Sequence, residues 1–336
     1  MVAASESYEA GSVTGPVWRP AAPSTTVRSG LGAGRRGVRV GRPGNSSVGG
    51  VCCHDRSMAT RTIDTGTDDL LAHVDGAVGV ITFNRPDRRN ALSAAMYEGF
   101  GRALPALSAD PDVRVVMVTG AGGAFCAGGD VKGMNESHRT GVAREGRSAD
   151  AETAVEQLRA NQRSVSLALH RFPKPVVAAL PGAAAGAGMS IALAADIRLA
   201  APGAPVVTAF ANVGASGDFG GSWFLTQLVG TAKARELYFT SPRLTAEEAL
   251  GLGIVNQVLV GDDFESAALE WCRSLAARAP IALGKMKENL NRAITCDLET
   301  ALDEEAVNMV STMSTADHRE AAAAFVEKRS PVFVGR

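Results

Sequence analysis

Two apolar runs of strand length, each emptying into a glycine-rich turn, constrain this chain more than any other feature. Residues 115–119 (Val-Val-Met-Val-Thr) run into Gly120-Ala121-Gly122-Gly123, and Val176–Leu180 runs toward Gly182, Gly186 and Gly188. Uninterrupted apolar runs of this length read as strands. The first turn invites comparison with a dinucleotide fingerprint. It fails, because Phe125 stands where the third small residue belongs and no helical pattern starts there. A glycine-rich turn also exposes backbone N–H groups. Two such donors aimed at one oxygen make an oxyanion hole, with tight packing turns as the plainer alternative. Residues 190–195 read as a helix, which would put the second turn near a helix N-terminus.

The rest of the chain alternates in the same way. Val78–Phe83 reads as a strand ended by Asn84-Arg85-Pro86, residues 91–107 as a helix, Ile197–Ala200 and 255–260 as short strands, and 156–170 as a helix. Thr245 and Glu248 have the spacing of a capping box. Residues 134–150 are polar and read as a mobile loop. Alternation of strands and helices predicts an α/β fold, with one core over 60–279 and a helical, Ala-rich region over 280–336. That last region could fold back on its own core or pack on a neighbouring subunit.

Residues 1–57 are rich in Gly, Ser, Pro and Arg, with only Glu6, Glu9 and Asp55 as acids. Three readings stand: a disordered extension, a targeting segment, or a stretch ahead of a true start at Met58. The last is favoured because organised sequence begins just after Met58. A formal net charge of -1 gives no global field for nucleic acid. No apolar run reaches transmembrane length. The five cysteines include no CxxC pair, which argues against a disulfide framework or zinc ribbon and fits a reducing cytoplasm. Cys52-Cys53-His54 has no partner cluster, so no metal is expected.

Five segments in register resemble the crotonase superfamily, the enoyl-CoA hydratase/isomerase family. They are Asn84-Arg85-Pro86 with Asn90-Ala91-Leu92; Ala124-Phe125-Cys126-Ala127-Gly128-Gly129-Asp130-Val131-Lys132; Lys174-Pro175 through Gly186-Ala187-Gly188; Phe210, Gly214 and Gly220-Gly221-Ser222; and residues 244–255. The resemblance covers about residues 70–332. It implies a repeated ββα spiral core, a C-terminal helical region that trimerises, and often a hexamer. It implies an acyl-coenzyme A thioester as ligand and no cofactor beyond the coenzyme A that arrives with the substrate. By the same resemblance the oxyanion donors are the N–H groups of Gly129 and Ala187. Arg89 falls near the CoA phosphates, and Ala91, Ala127, Asp130 and Val131 fall along the adenine and pantetheine cleft. Phe325 and Lys328 fall on the helix that covers the nucleotide.

Two departures bear on the reaction. The resemblance places glutamates at the positions held here by Ser190 and Phe210. Neither residue can do carboxylate acid–base work, and hydration needs one group to activate water and one to deliver a proton. Asp218 occupies a position where double-bond isomerases of the family carry an acid. Its apolar neighbours Phe210, Phe219 and Trp223 should raise its pKa. The competing reading makes Asp218 a helix N-cap. Ser190 reads as a small pocket residue, since no histidine in the sequence stands near enough to activate it, and Asp130 as a brace for its turn. His170 reads as structural. An isomerase working through Asp218 is favoured. An atypical hydratase or acyl-CoA hydrolase with water near Ser190, and a non-catalytic acyl-CoA-binding protein, are the alternatives.

Overall fold

Residues 60–140 and 150–336 are described by a computed structural model. The expectations for residues 1–57, Cys52-Cys53-His54 included, and for 141–149 fall outside them. The sheet opens as a meander. β1 (Arg61–Ile63), β2 (Leu70–Asp75) and β3 (Val78–Phe83) pair antiparallel in turn. From β3 onward each pairing in this sheet is parallel. β4 (Val115–Gly120), β5 (Val176–Leu180), β7 (Ile197–Ala200) and β9 (Gln257–Val258) extend it to seven strands. The intervening β6 (Ala184–Ala185) and β8 (Val206–Val207) form a parallel pair of their own.

Alternate residues of the central strands feed two different cores, because side chains of a strand point to opposite faces. Val80, Val115, Met117, Val177, Ala179 and Leu199 pack with Ala268, Cys272 and Ala276 of α8 (Phe264–Ala276). Ile81, Phe83, Val116, Val118, Ala178 and Leu180 join the larger core. That core takes in Met96, Phe100 and Leu107 of α1 (Ala94–Ala109) and Ile191 and Leu193 of α5 (Ala187–Leu193). The apolar runs read from the sequence are therefore buried on both sides, and polar residues within them would have no water to face.

Element boundaries depart from the sequence reading in several places. α1 starts at Ala94, because Ser93 Oγ accepts the Met96 N–H and caps it. The polar stretch read as a loop from residue 134 is helical to 140, in α2 (Val131–Thr140). Val131 and Met134 are its only large apolar residues, too few for a periodicity argument to register. The next helix starts earlier than expected, as α3 (Ala151–Gln162) capped by Asp150, and continues through a π turn at Arg163–Leu167 into α4 (Ala168–His170). α5 begins at Ala187 and not at 190. The strand expected over 255–260 shrinks to the two residues of β9. α6 (Gly221–Thr240) breaks its helical path at Gly230 (φ 75, ψ 164). α7 (Ala246–Gly251) carries the complete capping box of Thr245 and Glu248.

Three helices close the chain: α9 (Pro280–Ala293), α10 (Leu298–Met313) and α11 (Ala316–Glu327). α9 lies on its own core. Its buried Lys287 ammonium donates to the carbonyls of Leu169 (3.2 Å) and Lys174 (3.3 Å) and pairs with Asp196 at 2.8 Å. Asp317, buried at the start of α11, accepts the N–H groups of Val334 and Gly335 and turns the C-terminal tail back.

Candidate active site

The two glycine-rich turns meet. Cys126 bridges to Ala184, the Ala185 N–H donates to the Cys126 carbonyl at 3.0 Å, and the Phe125 N–H donates to the Ala183 carbonyl at 3.1 Å. The contact is close enough to require glycine. A Cβ on Gly188 would overlap the Cys126 carbonyl, and one on Gly128 (φ 82) would come within 3.1 Å of the Ala187 nitrogen. Asn90 organises the first turn from below. Its fully buried amide donates to the carbonyls of Ala121 (2.9 Å) and Ala124 (2.8 Å) and accepts the Arg85 N–H at 2.8 Å.

At this junction the N–H groups of Gly129 and Ala187 have no acceptor among the described residues. Backbone donors near a buried surface are normally paired, so two free ones at one junction are poised for an outside acceptor. Ala127, whose N–H bonds the Arg89 carbonyl, and buried Ala91 stand beside them. Arg89 itself is exposed, at φ 49. Asp130 accepts the Gly133 N–H at 2.9 Å in the first turn of α2, which begins at the exposed Val131. Phe325 is 85% exposed on α11, and Lys328 is its left-handed C-cap.

Ser190 lies one helical turn beyond Ala187 and is 1% exposed. Its hydroxyl donates back to the Gly186 carbonyl at 3.3 Å, a long bond within α5. Phe210, buried at 7% exposure, lies 3.7 Å from where a Gly186 Cβ would stand and stacks on Tyr238 at 5.9 Å. Cys126 is fully buried among these segments, and burial pushes its thiol up to about 12, so it is inert as a nucleophile.

Asp218 is carried on a contorted turn. Gly217, Phe219 and Gly220 all have positive φ, at 104, 51 and 77. A left-handed phenylalanine costs on the order of 1–3 kcal/mol, and packing holds it there. Phe219 stacks on Tyr97 at 5.9 Å, and its N–H donates to Gln162 Oε1 at 2.9 Å. The turn keeps Asp218 out of the capping role that the sequence allowed, because the N-cap of α6 is Gly220. Asp218 Oδ1 is buried with no hydrogen-bond partner among the described residues. Burial raises the carboxyl from its ordinary 3.8 to about 6. The ring of Trp223 meets that of His170 edge-on at 5.5 Å. A cleft of about 1280 Å³ includes Gln162, His170, Phe219, Gly220 and Trp223 in its lining, but not Gly129, Ala187, Ser190 or Asp218.

A family model described as Enoyl-CoA hydratase/isomerase matches residues 73–336. The chain belongs to that family, within the crotonase superfamily. It is 36% identical over 267 residues to the 1,2-epoxyphenylacetyl-CoA isomerase of Escherichia coli (strain K12), covering 80% of this chain and 98% of that protein. It is 34% identical to the Short-chain-enoyl-CoA hydratase of Clostridium acetobutylicum, covering 78% and 96%. The crystal structure of an enoyl-CoA hydratase from Polaromonas sp. JS666 superimposes with a TM-score of 0.72 at 35% identity, over 79% of this chain and 99% of that one. The family's crotonase-type fold is thus the fold of this chain, and an acyl-CoA thioester is the ligand class consistent with membership. Among the described residues no group of three histidine, cysteine or acidic side chains could hold a metal ion. No helix there is long and apolar enough to cross a membrane.

The sequence pointed to the Gly129–Ala187 pair and to Asp218. It gave no role to Asn90 or Gln162, and it passed over Tyr238. Asn90 could have been found, since a polar residue inside a quoted motif invites the question of what it bonds. For Gln162 and Tyr238 there was no local signal, because their partners lie far along the chain.

Proposed function

We propose that this enzyme shifts the double bond of an enoyl-CoA, with Asp218 as its single acid and base. The observation that carries the reading is the Asp218 carboxyl, half-buried, unpartnered at Oδ1 and raised to about 6. A carboxylate with that pKa is ionised at neutral pH yet basic enough to take a proton. It removes a proton from carbon 2 of a 3-enoyl-CoA. The charge passes to the thioester oxygen, held by the N–H groups of Gly129 and Ala187. The same carboxyl then returns the proton at carbon 4, leaving the conjugated 2-enoyl-CoA. One group suffices, which accounts for Ser190 and Phe210 at the two glutamate positions. Arg89 meets the CoA phosphates, and Ala91, Ala127, Asp130 and Val131 line the adenine and pantetheine path. Phe325 and Lys328 cover the nucleotide. The E. coli relative, an isomerase by name, supports this choice.

Hydration is the second reading, favoured by the name of the Clostridium relative. Against it, Ser190 is almost wholly buried and bonded to its own helix. Purified protein given a 3-enoyl-CoA should develop the absorbance of the conjugated thioester, and Asp218→Asn should lower that rate at least roughly hundredfold. Hydration of a 2-enoyl-CoA that survives Asp218→Asn but not Ser190→Ala would replace the isomerase with a hydratase. Tight binding of CoA esters without solvent-deuterium exchange at carbon 2 would make the chain a binding protein only.

A further inference from the structure

A second polar side chain packs against the turn that carries Asp218. Tyr238 lies in the last part of α6, beyond the break at Gly230. One face of its ring stacks on Phe210. Its edge and hydroxyl press against the two glycines that bracket Asp218. A Cβ on Gly217 would come within 2.9 Å of Tyr238 Cε1, and one on Gly221 within 2.6 Å of its hydroxyl oxygen. The turn therefore arches over this tyrosine, and glycine at both points is what admits it. Asp218's negative charge and, more strongly, burial push the phenol up to about 12, so it remains a neutral O–H donor throughout the working range. No other charged side chain among the described residues bears on either group, and the uncharged Ser190 hydroxyl also abuts Gly221.

We propose that Tyr238 is a positioning residue for Asp218: the ionised carboxylate turns to accept a hydrogen bond from its hydroxyl, which aims it at the substrate. This rests on the reading of Asp218 as the acid and base. A half-buried carboxylate with no donor bears the full cost of lost solvation, and a phenol held beside it is the donor the turn supplies. On ionisation the Asp218 side chain turns about χ1 and χ2 to bring a carboxylate oxygen onto the O–H. On protonation the pair relaxes, so the hydrogen bond favours the state that begins the reaction.

The test is Tyr238→Phe, which keeps the stack on Phe210 and the fit beneath Gly217. Double-bond transfer should lose roughly ten- to hundredfold in kcat with KM changed less than about twofold, since a hydrogen bond to a charged group is removed. Loss of a donor to the charged form raises a carboxyl pKa, so the acidic limb of the kcat profile should move up by about one pH unit. Carbon-13 NMR of the aspartate-labelled, substrate-free protein reads the same shift without turnover: the Asp218 midpoint should rise in Tyr238→Phe. An unchanged kcat, or an unchanged midpoint, overturns the proposal. Full isomerisation by Asp218→Asn would instead remove the functional reading, and the NMR midpoint would still decide whether the two side chains are paired.

Discussion

At the scale of single residues, the chemistry turns on what surrounds one carboxyl. Asp218 keeps its proton to about pH 6 in the folded chain, against an ordinary value of 3.8. On the proposed reading its ionised form is the base, and kcat/KM for isomerisation should then rise with pH through about 6 and level. A profile that is flat from pH 5 to 8 would exclude this carboxyl as the base. The same shift has a sign for stability. Between 3.8 and about 6 the folded state holds a proton that the unfolded chain has released, so stability falls as pH rises through that window. Asp218→Asn cannot ionise and escapes the loss. Its melting temperature should exceed that of the parent at pH 8, and the gain should shrink toward pH 3. Equal gains at both pH values would mean that the asparagine acts by some other contact.

At the scale of elements, close approach between turns does the work that no single side chain does. The β4 and β5 turns can exchange hydrogen bonds only because Gly128 and Gly188 present no Cβ to the facing backbone. Gly188→Ala should abolish turnover and substrate binding together, because it separates the two amides while touching neither. Binding of a CoA ester retained at full strength would contradict that. α9 depends on a different device. Lys287 is buried, its ammonium pulled below its usual range by desolvation and held up in part by Asp196. Lys287→Ala strands Asp196 and two carbonyls and should cost about 3 kcal/mol in denaturant unfolding. A loss below about 1 kcal/mol would show that α9 is anchored by its apolar contacts instead.

At the scale of the whole molecule, the C-terminal helices expose more apolar surface than a lone chain ordinarily leaves in water. Leu298 is 74% exposed, Val310 69% and Phe325 85%. This motivates assembly as a trimer or as a hexamer of two trimers, which would also bring Phe325 and Lys328 of one subunit toward another. Sedimentation at micromolar concentration should find three or six chains, and Val310→Glu should shift the protein toward the monomer. A wild-type monomer at that concentration would rule the assembly out.

The α/β class, both glycine-rich turns and Asp218 as a candidate were legible in the sequence. Each rests on local pattern: an apolar run between turns, a glycine at a tight corner, an acid where the expected ones are missing. The helix from Val131 was not legible, since two large apolar residues in ten give a period too little to register. The cap reading of Asp218 also stood open there, because a cap depends on the φ of its neighbours, and positive φ at Phe219 is imposed by the distant Tyr97 and Gln162. By itself the sequence determined the family's motifs in register, and that Ser190 and Phe210, not glutamates, stand at two of their positions. Only the tertiary structure decided that the Asp218 carboxylate is desolvated, unpartnered at Oδ1 and set above Tyr238. Desolvation and hydrogen bonding depend on side chains that are neighbours in space and strangers in sequence.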